Sequence, residues 1–162
     1  IIVTFPSDNE YLAQDIIKII NQLYLKDTFV VYGSRMIKNY KHTTHLKKIY
    51  KNNYLLYWIS KIGGLLISLL ILVFYNKYIS DPFTSLKAFR SETIKDIKNN
   101  FKGVDYDIYQ IIQLTKKRVY INEIEVSYFA RSYKEGKKTN IIEGLKSLLV
   151  IFRSLFFNSK MN

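Results

Sequence analysis

The stretch IIVTFPSDNEYLAQDIIKIINQLYLKDTFVVYGSR, residues 1 to 35, decides the fold class. Ile1 to Phe5 is a short, continuously apolar run of β-forming residues, the pattern of a strand buried on both faces. Pro6 breaks it. Ser7-Asp-Asn-Glu10 has the spacing of a capping box, and Leu12, Ile16, Ile19, Ile20 and Leu23 follow at helical intervals. Thr28 to Tyr32 is again rich in β-formers and stops at Gly33. Strand, helix and strand in that order predict an α/β fold whose first two strands form a parallel pair joined by a right-handed crossover.

The rest of the chain extends this pattern. Residues 36 to 53 carry five lysines and two histidines with little periodicity and read as a mobile basic loop. His42 and His45 stand three apart without a carboxylate or cysteine beside them, which argues against a metal site there. Asp81-Pro82 opens a turn, Ser85 to Phe89 fits a strand, and Ser91 is placed to cap a short helix with Ile94 and Ile97 facing inward. Residues 107 to 118 fit a helix ending in Lys116-Lys117-Arg118, the charge that suits a helix C-terminus. Val119 to Tyr128 is the last strand region, and its alternation slips near Asn122-Glu123 as at a bulge.

Two segments raise the question of a membrane. Residues 54 to 75, YLLYWISKIGGLLISLLILVFY, are the most apolar part of the chain. The 15 uncharged residues between Lys61 and Lys77 make about 22 Å of helix, short of a hydrocarbon core of about 30 Å. A buried or interfacial helix, with Tyr57 and Trp58 near the headgroups, is therefore preferred to a span. The segment IIEGLKSLLVIFRSLFF near the C-terminus is apolar around most of its circumference, with Lys146, Arg153 and Lys160 spaced by seven along one stripe. That pattern suits a helix lying in an anionic membrane surface, and equally a helix docked on the core or on a partner.

Composition sets the outer limits. With 162 residues and 48% hydrophobic content the chain can bury a core. The 25 Lys plus Arg against 13 Asp plus Glu leave +12, which suits an anionic partner: nucleic acid, a nucleotide or phospholipid headgroups. Nucleic acid is the least favoured, because the aromatics are mostly tyrosines within apolar runs. The absence of cysteine excludes disulfides and thiolate metal sites. No signal peptide opens the sequence, and a start on a strand without Met is expected of a fragment. The run RSYKEGKKT, residues 131 to 139, sets four cations around Gly136 at a strand end. It reads either as a phosphate-holding loop or as a solvated turn.

Four landmarks, in order, resemble the later part of a family 2 glycosyltransferase of the dolichol-phosphate mannose synthase and polyprenol-phosphate sugar transferase type. They are PSDNEY at 6 to 11, VVYGSR at 30 to 35, DPFTSLKAFR at 81 to 90 and EIEVSYFARSYKEGKKTN at 123 to 140. In that family the first corresponds to an Asp-x-Asp-x-Glu-Tyr metal motif and the second to a strand ending in Gly-Ser-Arg. The third matches an Asp-Pro turn followed by Thr and Lys, and the fourth a Glu-x-Pro-Val-x-Tyr segment leading to Arg and Glu-Gly-Lys-Lys. Pro6 stands in place of the first acid of the metal motif, Tyr109 where a glutamate is expected, and Glu125 in place of the proline.

The resemblance implies a partial GT-A-like, Rossmann-related sheet over residues 1 to 140, with the donor-binding first strands missing, and an amphipathic interfacial helix over 141 to 162. It implies transfer from a nucleotide-sugar donor to a polyprenol-phosphate-type acceptor at the cytoplasmic face of a membrane, with Mg2+ or Mn2+ as cofactor. Asp8 and Glu10 would serve the metal, Arg35, Lys87, Arg131, Lys137 and Lys138 the phosphates, and Asp81 and Asp107 the catalytic acid or base positions. The competing expectation is an inactive homologue that keeps the fold and its basic surface at the membrane.

Overall fold

The structure is a computed structural model that describes residues 1–37, 54–97, 103–131 and 141–156. Its elements are β1 (Ile2–Thr4), α1 (Ala13–Leu23), β2 (Val30–Ser34), α2 (Tyr54–Tyr75), β3 (Lys87–Phe89), α3 (Ser91–Ile94), α4 (Val104–Lys116), β4 (Ile121–Glu125) and α5 (Ile141–Phe156). The expected mixed α/β character is present. The described strands form one sheet in the order β1-β3-β2-β4.

That order corrects the parallel pair expected of the first two strands. β1 and β2 run the same way, but β3 lies between them and is antiparallel to both, while the parallel neighbour of β2 is β4. A β-α-β sequence pattern fixes direction without saying what is later inserted between the strands. β1 therefore lies at an edge of the sheet, with Ile2 42% and Phe5 38% exposed. Two-sided burial belongs instead to β2, all of whose residues are buried.

Alternation along β2 sends Val30 and Tyr32 to one face and Val31 to the other. The first face packs with Phe89 and Ile121 against Ile108, Ile111 and Ile112 of α4, Ile67 and Ile71 of α2, and Val150 and Ile151 of α5. The second packs with Leu86, Ala88 and Val126 against Ile19 and Leu23 of α1 and Tyr57 of α2. Each such side chain, once removed from water, contributes about 1.5–3 kcal/mol before entropy is charged. α2 thus reaches from one core at its start to the other in its second half.

Several local expectations are revised. Residues 7 to 10 form no capping box: Leu12 is the N-cap of α1, without a side-chain cap, and the Glu10 carboxylate turns elsewhere. Ser91 is the first residue of α3 rather than its cap, which is Arg90. No bulge interrupts β4, whose five residues pair in unbroken register with β2. The irregular alternation near Asn122-Glu123 arises because Glu123 is a half-buried acid with partners of its own. β2 does not stop at Gly33 but runs through it. A Cβ there would lie 2.7 Å from Val126 Cγ1, so glycine marks a close approach of chains. The basic segment from 38 to 53, including His42 and His45, lies outside the described residues.

α2 is a helix as expected, but it is not buried: only 22% of its most apolar window is covered. By length and composition it could cross a membrane. Asn76, in the left-handed region at φ 52, follows its last residue. α5 docks on the core through Val150 and Ile151 and leaves Leu145, Leu149 and Phe152 exposed.

Candidate functional site

The register of the sheet brings the candidate residues to one edge. Thr4 pairs with Lys87 and Lys87 with Tyr32, so the carboxyl ends of β1, β2 and β4 meet the amino end of β3. In open α/β sheets that edge is where ligands bind. Asp8, Glu10, Arg35, Asp81, Lys87, Asp107 and Arg131 all pair there, in three groups.

The first group joins the loop after β1 to the segment after β4. Tyr11 and Tyr128 form an isolated antiparallel bridge, and the Phe129 amide donates to the Glu10 carbonyl at 2.8 Å. Across this seam the Arg131 amide and Nε donate to Glu10 Oε1 at 3.1 and 3.3 Å, and Arg131 Nη2 donates to Asp8 Oδ2 at 3.1 Å. Tyr128 donates its hydroxyl to Glu10 Oε2 at 2.8 Å. Asp8 Oδ1 accepts the Glu10 amide at 3.2 Å, which holds the turn in shape. Glu10 is 3% exposed on its side chain, whereas Asp8 is 28% and Arg131 36% exposed.

In the second group Arg35, just past β2, forks onto Asp81. Its Nε and Nη2 donate to the two carboxylate oxygens at 2.6 and 2.7 Å, and its amide donates to Oδ2 at 3.0 Å. The guanidinium lies 4.9 Å from the centre of the Tyr128 ring, a cation–π contact. Beneath Asp81 sits Glu123, which accepts the Ser80 amide at 2.8 Å, the Ser80 hydroxyl at 2.9 Å and the Asp81 amide at 3.1 Å. Burial raises the Glu123 carboxyl above the ordinary glutamate value, and these hydrogen bonds oppose the rise.

The third group lies on the other face of the sheet. Lys87, 3% exposed, donates to Asp107 Oδ1 at 2.5 Å and stands 4.8 Å from the Tyr32 ring centre. Gln110 accepts from the Tyr32 hydroxyl at 3.0 Å. Burial raises the Asp107 carboxyl, with Lys87 acting in the opposite sense.

The site residues read from the sequence are therefore brought to one edge as far as they are described; Lys137 and Lys138 lie outside the described residues. Arg35, Lys87 and Arg131 each carry an acidic partner. The sequence reading missed Glu123 and Tyr128, although both fall within the stretch EIEVSY. A glutamate inside a strand was the available signal for the first. For Tyr128 the signal was its place as the tyrosine of the Glu-x-Pro-Val-x-Tyr resemblance. Among the described residues no three of His, Asp and Glu are grouped to hold a metal ion.

Comparison with known proteins gives two distant similarities. Over 159 residues, 97% of this chain, the sequence is 24% identical to an uncharacterized protein of Methanocaldococcus jannaschii, covering 61% of that protein. Over 148 residues, 90% of this chain, it is 27% identical to a UDP-N-acetylglucosamine–dolichyl-phosphate N-acetylglucosaminyltransferase of Methanococcus voltae, covering 55% of that protein. The chain thus spans somewhat more than half the length of these relatives. No family model matches the chain, and no solved structure matches it.

Proposed function

We propose that the chain is part of a family 2 glycosyltransferase with a GT-A-like sheet, which moves a sugar from a nucleotide-sugar donor to a polyprenol-phosphate acceptor at the cytoplasmic face of a membrane. The observation that carries this reading is the convergence of Asp8, Arg35, Lys87 and Arg131 on the ligand-binding edge of the sheet. Similarity to a dolichyl-phosphate N-acetylglucosaminyltransferase supports it.

The chemistry follows from charge. Transfer from a nucleotide sugar leaves a diphosphate, and positive charge must meet it as the glycosidic bond breaks. Arg131 is the best-placed cation, since it is anchored by Glu10 and Asp8 yet remains partly open to solvent. Arg35 and Lys87, held by Asp81 and Asp107, are more deeply set and shape the floor. A polyprenol phosphate is already an anion and needs no strong base, so Asp81 and Asp107 act here as counter-charges.

The five carboxylates of Asp8, Glu10, Asp81, Asp107 and Glu123 outnumber the three cations Arg35, Lys87 and Arg131. A diphosphate entering this edge therefore requires added positive charge, which favours metal dependence and a contribution from Lys137 and Lys138. Asp8 suits the metal role better than Glu10 because its side chain is 28% exposed against 3%, although both carboxylates have both oxygens engaged, so a metal ion at Asp8 would have to displace Arg131 from Oδ2. Mg2+ or Mn2+ at Asp8 would supply charge to the leaving diphosphate.

Membrane association rests on two exposed stripes. Leu55, Ile59, Ile62, Leu66, Leu69 and Val73 recur at helical spacing on α2, and Leu145, Leu149, Phe152 and Phe156 on α5. The two helices touch where Phe74 and Phe152 pack edge to face, 6.1 Å between ring centres. Exposed Lys61, Lys146 and Arg153 accompany this apolar surface, as suits an anionic bilayer.

The test is transfer of labelled sugar from UDP-N-acetylglucosamine and other nucleotide sugars to polyprenyl phosphate in vesicles, by protein containing these 162 residues. Transfer that falls at least about a hundredfold in Arg131→Ala, from loss of charge-assisted contacts, and stops with EDTA is expected. Vesicle binding without transfer by any nucleotide sugar would favour the inactive homologue instead.

A further inference from the structure

We propose that Tyr128 is a positioning residue for both candidate phosphate-binding arginines, its ring carrying Arg35 and its hydroxyl holding Glu10 against Arg131. This rests on the reading of that edge as a phosphate site.

Two arginines that grip one diphosphate must be held at a fixed separation, and like charges resist that. Tyr128 meets the need from two sides. Its ring centre lies 4.9 Å from the Arg35 guanidinium carbon, a cation–π contact. Its hydroxyl donates at 2.8 Å to Glu10 Oε2, which leaves Glu10 Oε1 for the amide and Nε of Arg131. Tyr128 itself is 7% exposed, wedged edge-on against Tyr11 with ring centres 5.2 Å apart. Burial raises the hydroxyl above the ordinary tyrosine value, so it stays protonated and keeps donating. One rigid side chain thereby ties the loop after β1, the end of β2 and the segment after β4.

Tyr128→Phe keeps the ring and removes the hydroxyl, which donates to Glu10 and also meets Arg35. Tyr11→Phe is the matched control for Arg131, since the Tyr11 hydroxyl faces Thr84 at 3.5 Å rather than Glu10. The measurement is hydrogen exchange of the Arg131 and Arg35 Nε–H groups by 15N NMR, assigned with Arg131→Lys and Arg35→Lys, alongside calorimetric binding of inorganic pyrophosphate with Mn2+.

In Tyr128→Phe the Arg131 Nε–H should exchange about tenfold faster and pyrophosphate should bind about tenfold more weakly, about 1.4 kcal/mol. Tyr11→Phe should leave both unchanged. Unchanged Arg131 exchange in Tyr128→Phe, or an equal effect in Tyr11→Phe, overturns the proposal. Faster Arg131 exchange in a protein whose unsubstituted form binds no pyrophosphate overturns the phosphate reading while keeping the positioning. Should Phe at 128 prevent folding, Glu10→Gln gives the same readout with the tyrosine intact: Arg131 loosens and Arg35 does not.

Discussion

Asp81→Asn tests whether the Arg35 fork is a built part of the site or a surface pairing. Asp81 is 3% exposed, and it accepts from Arg35 at 2.6, 2.7 and 3.0 Å. The substitution keeps the shape, removes the charge and replaces one acceptor with a donor that faces the guanidinium. Breaking a buried pair from one side costs about 3–5 kcal/mol, because the remaining charge is left without compensation. The Arg35 side chain is 18% exposed, so water reaches part of it and the lower end, about 3 kcal/mol, applies. For a chain of this size that corresponds to a melting shift of about 6–12 °C. Urea unfolding of the parent, Asp81→Asn, Arg35→Gln and the double variant gives the coupling directly. A coupling of about 2 kcal/mol or more is expected, since the double variant removes both charges together. A coupling below about 0.5 kcal/mol would place the pair among ordinary surface salt bridges and refute the reasoning.

Three further outcomes are expected. Because burial raises the Glu123 carboxyl, the native chain holds that proton more tightly than the unfolded one, and stability falls as pH rises through the raised value. Urea midpoints measured from about pH 4 to about 7 should lose this part of their slope in Glu123→Gln; a slope identical to the parent's would contradict it. Gly33→Ala forces a Cβ to within 2.7 Å of Val126 Cγ1 and should cost about 1–3 kcal/mol, with Val126→Ala in the same chain recovering part of it. Leu69→Glu with Leu149→Glu, 43% and 62% exposed, should leave the unfolding midpoint nearly unchanged and abolish sedimentation with anionic vesicles. Full retention of vesicle binding would remove the α2–α5 surface from the membrane account.

Much of the candidate site was legible as a set of residues because they sit in short runs with unusual composition. Asp8 and Glu10 follow a strand-ending Pro6, Arg35 follows Gly33-Ser34, and Arg131 opens a lysine-rich run. What could not be read was their pairing. Arg131 meets Asp8 across 123 positions and Arg35 meets Asp81 across 46. No local rule specifies contacts over such separations, so each cation looked free when each is engaged. Glu10 shows the same limit from the other side: its spacing from Ser7 fits a cap, but burial beside Arg131 and Tyr128 won.

Sequence by itself determined the alternation of strands and helices, the common direction of β1 and β2, and the apolar character of residues 54 to 75 and 141 to 156. Those follow from local periodicity, which the chain carries wherever it folds. Tertiary structure alone decided that β3 enters between β1 and β2, that β2 is the buried centre, and that α2 and α5 meet through Phe74 and Phe152 with apolar side chains left exposed on both. Sheet order depends on which strands find hydrogen-bonding partners and cover each other's faces, and burial depends on neighbours far away along the chain. The same dependence turned charged residues from runs separate in sequence into three paired groups at one end of a sheet.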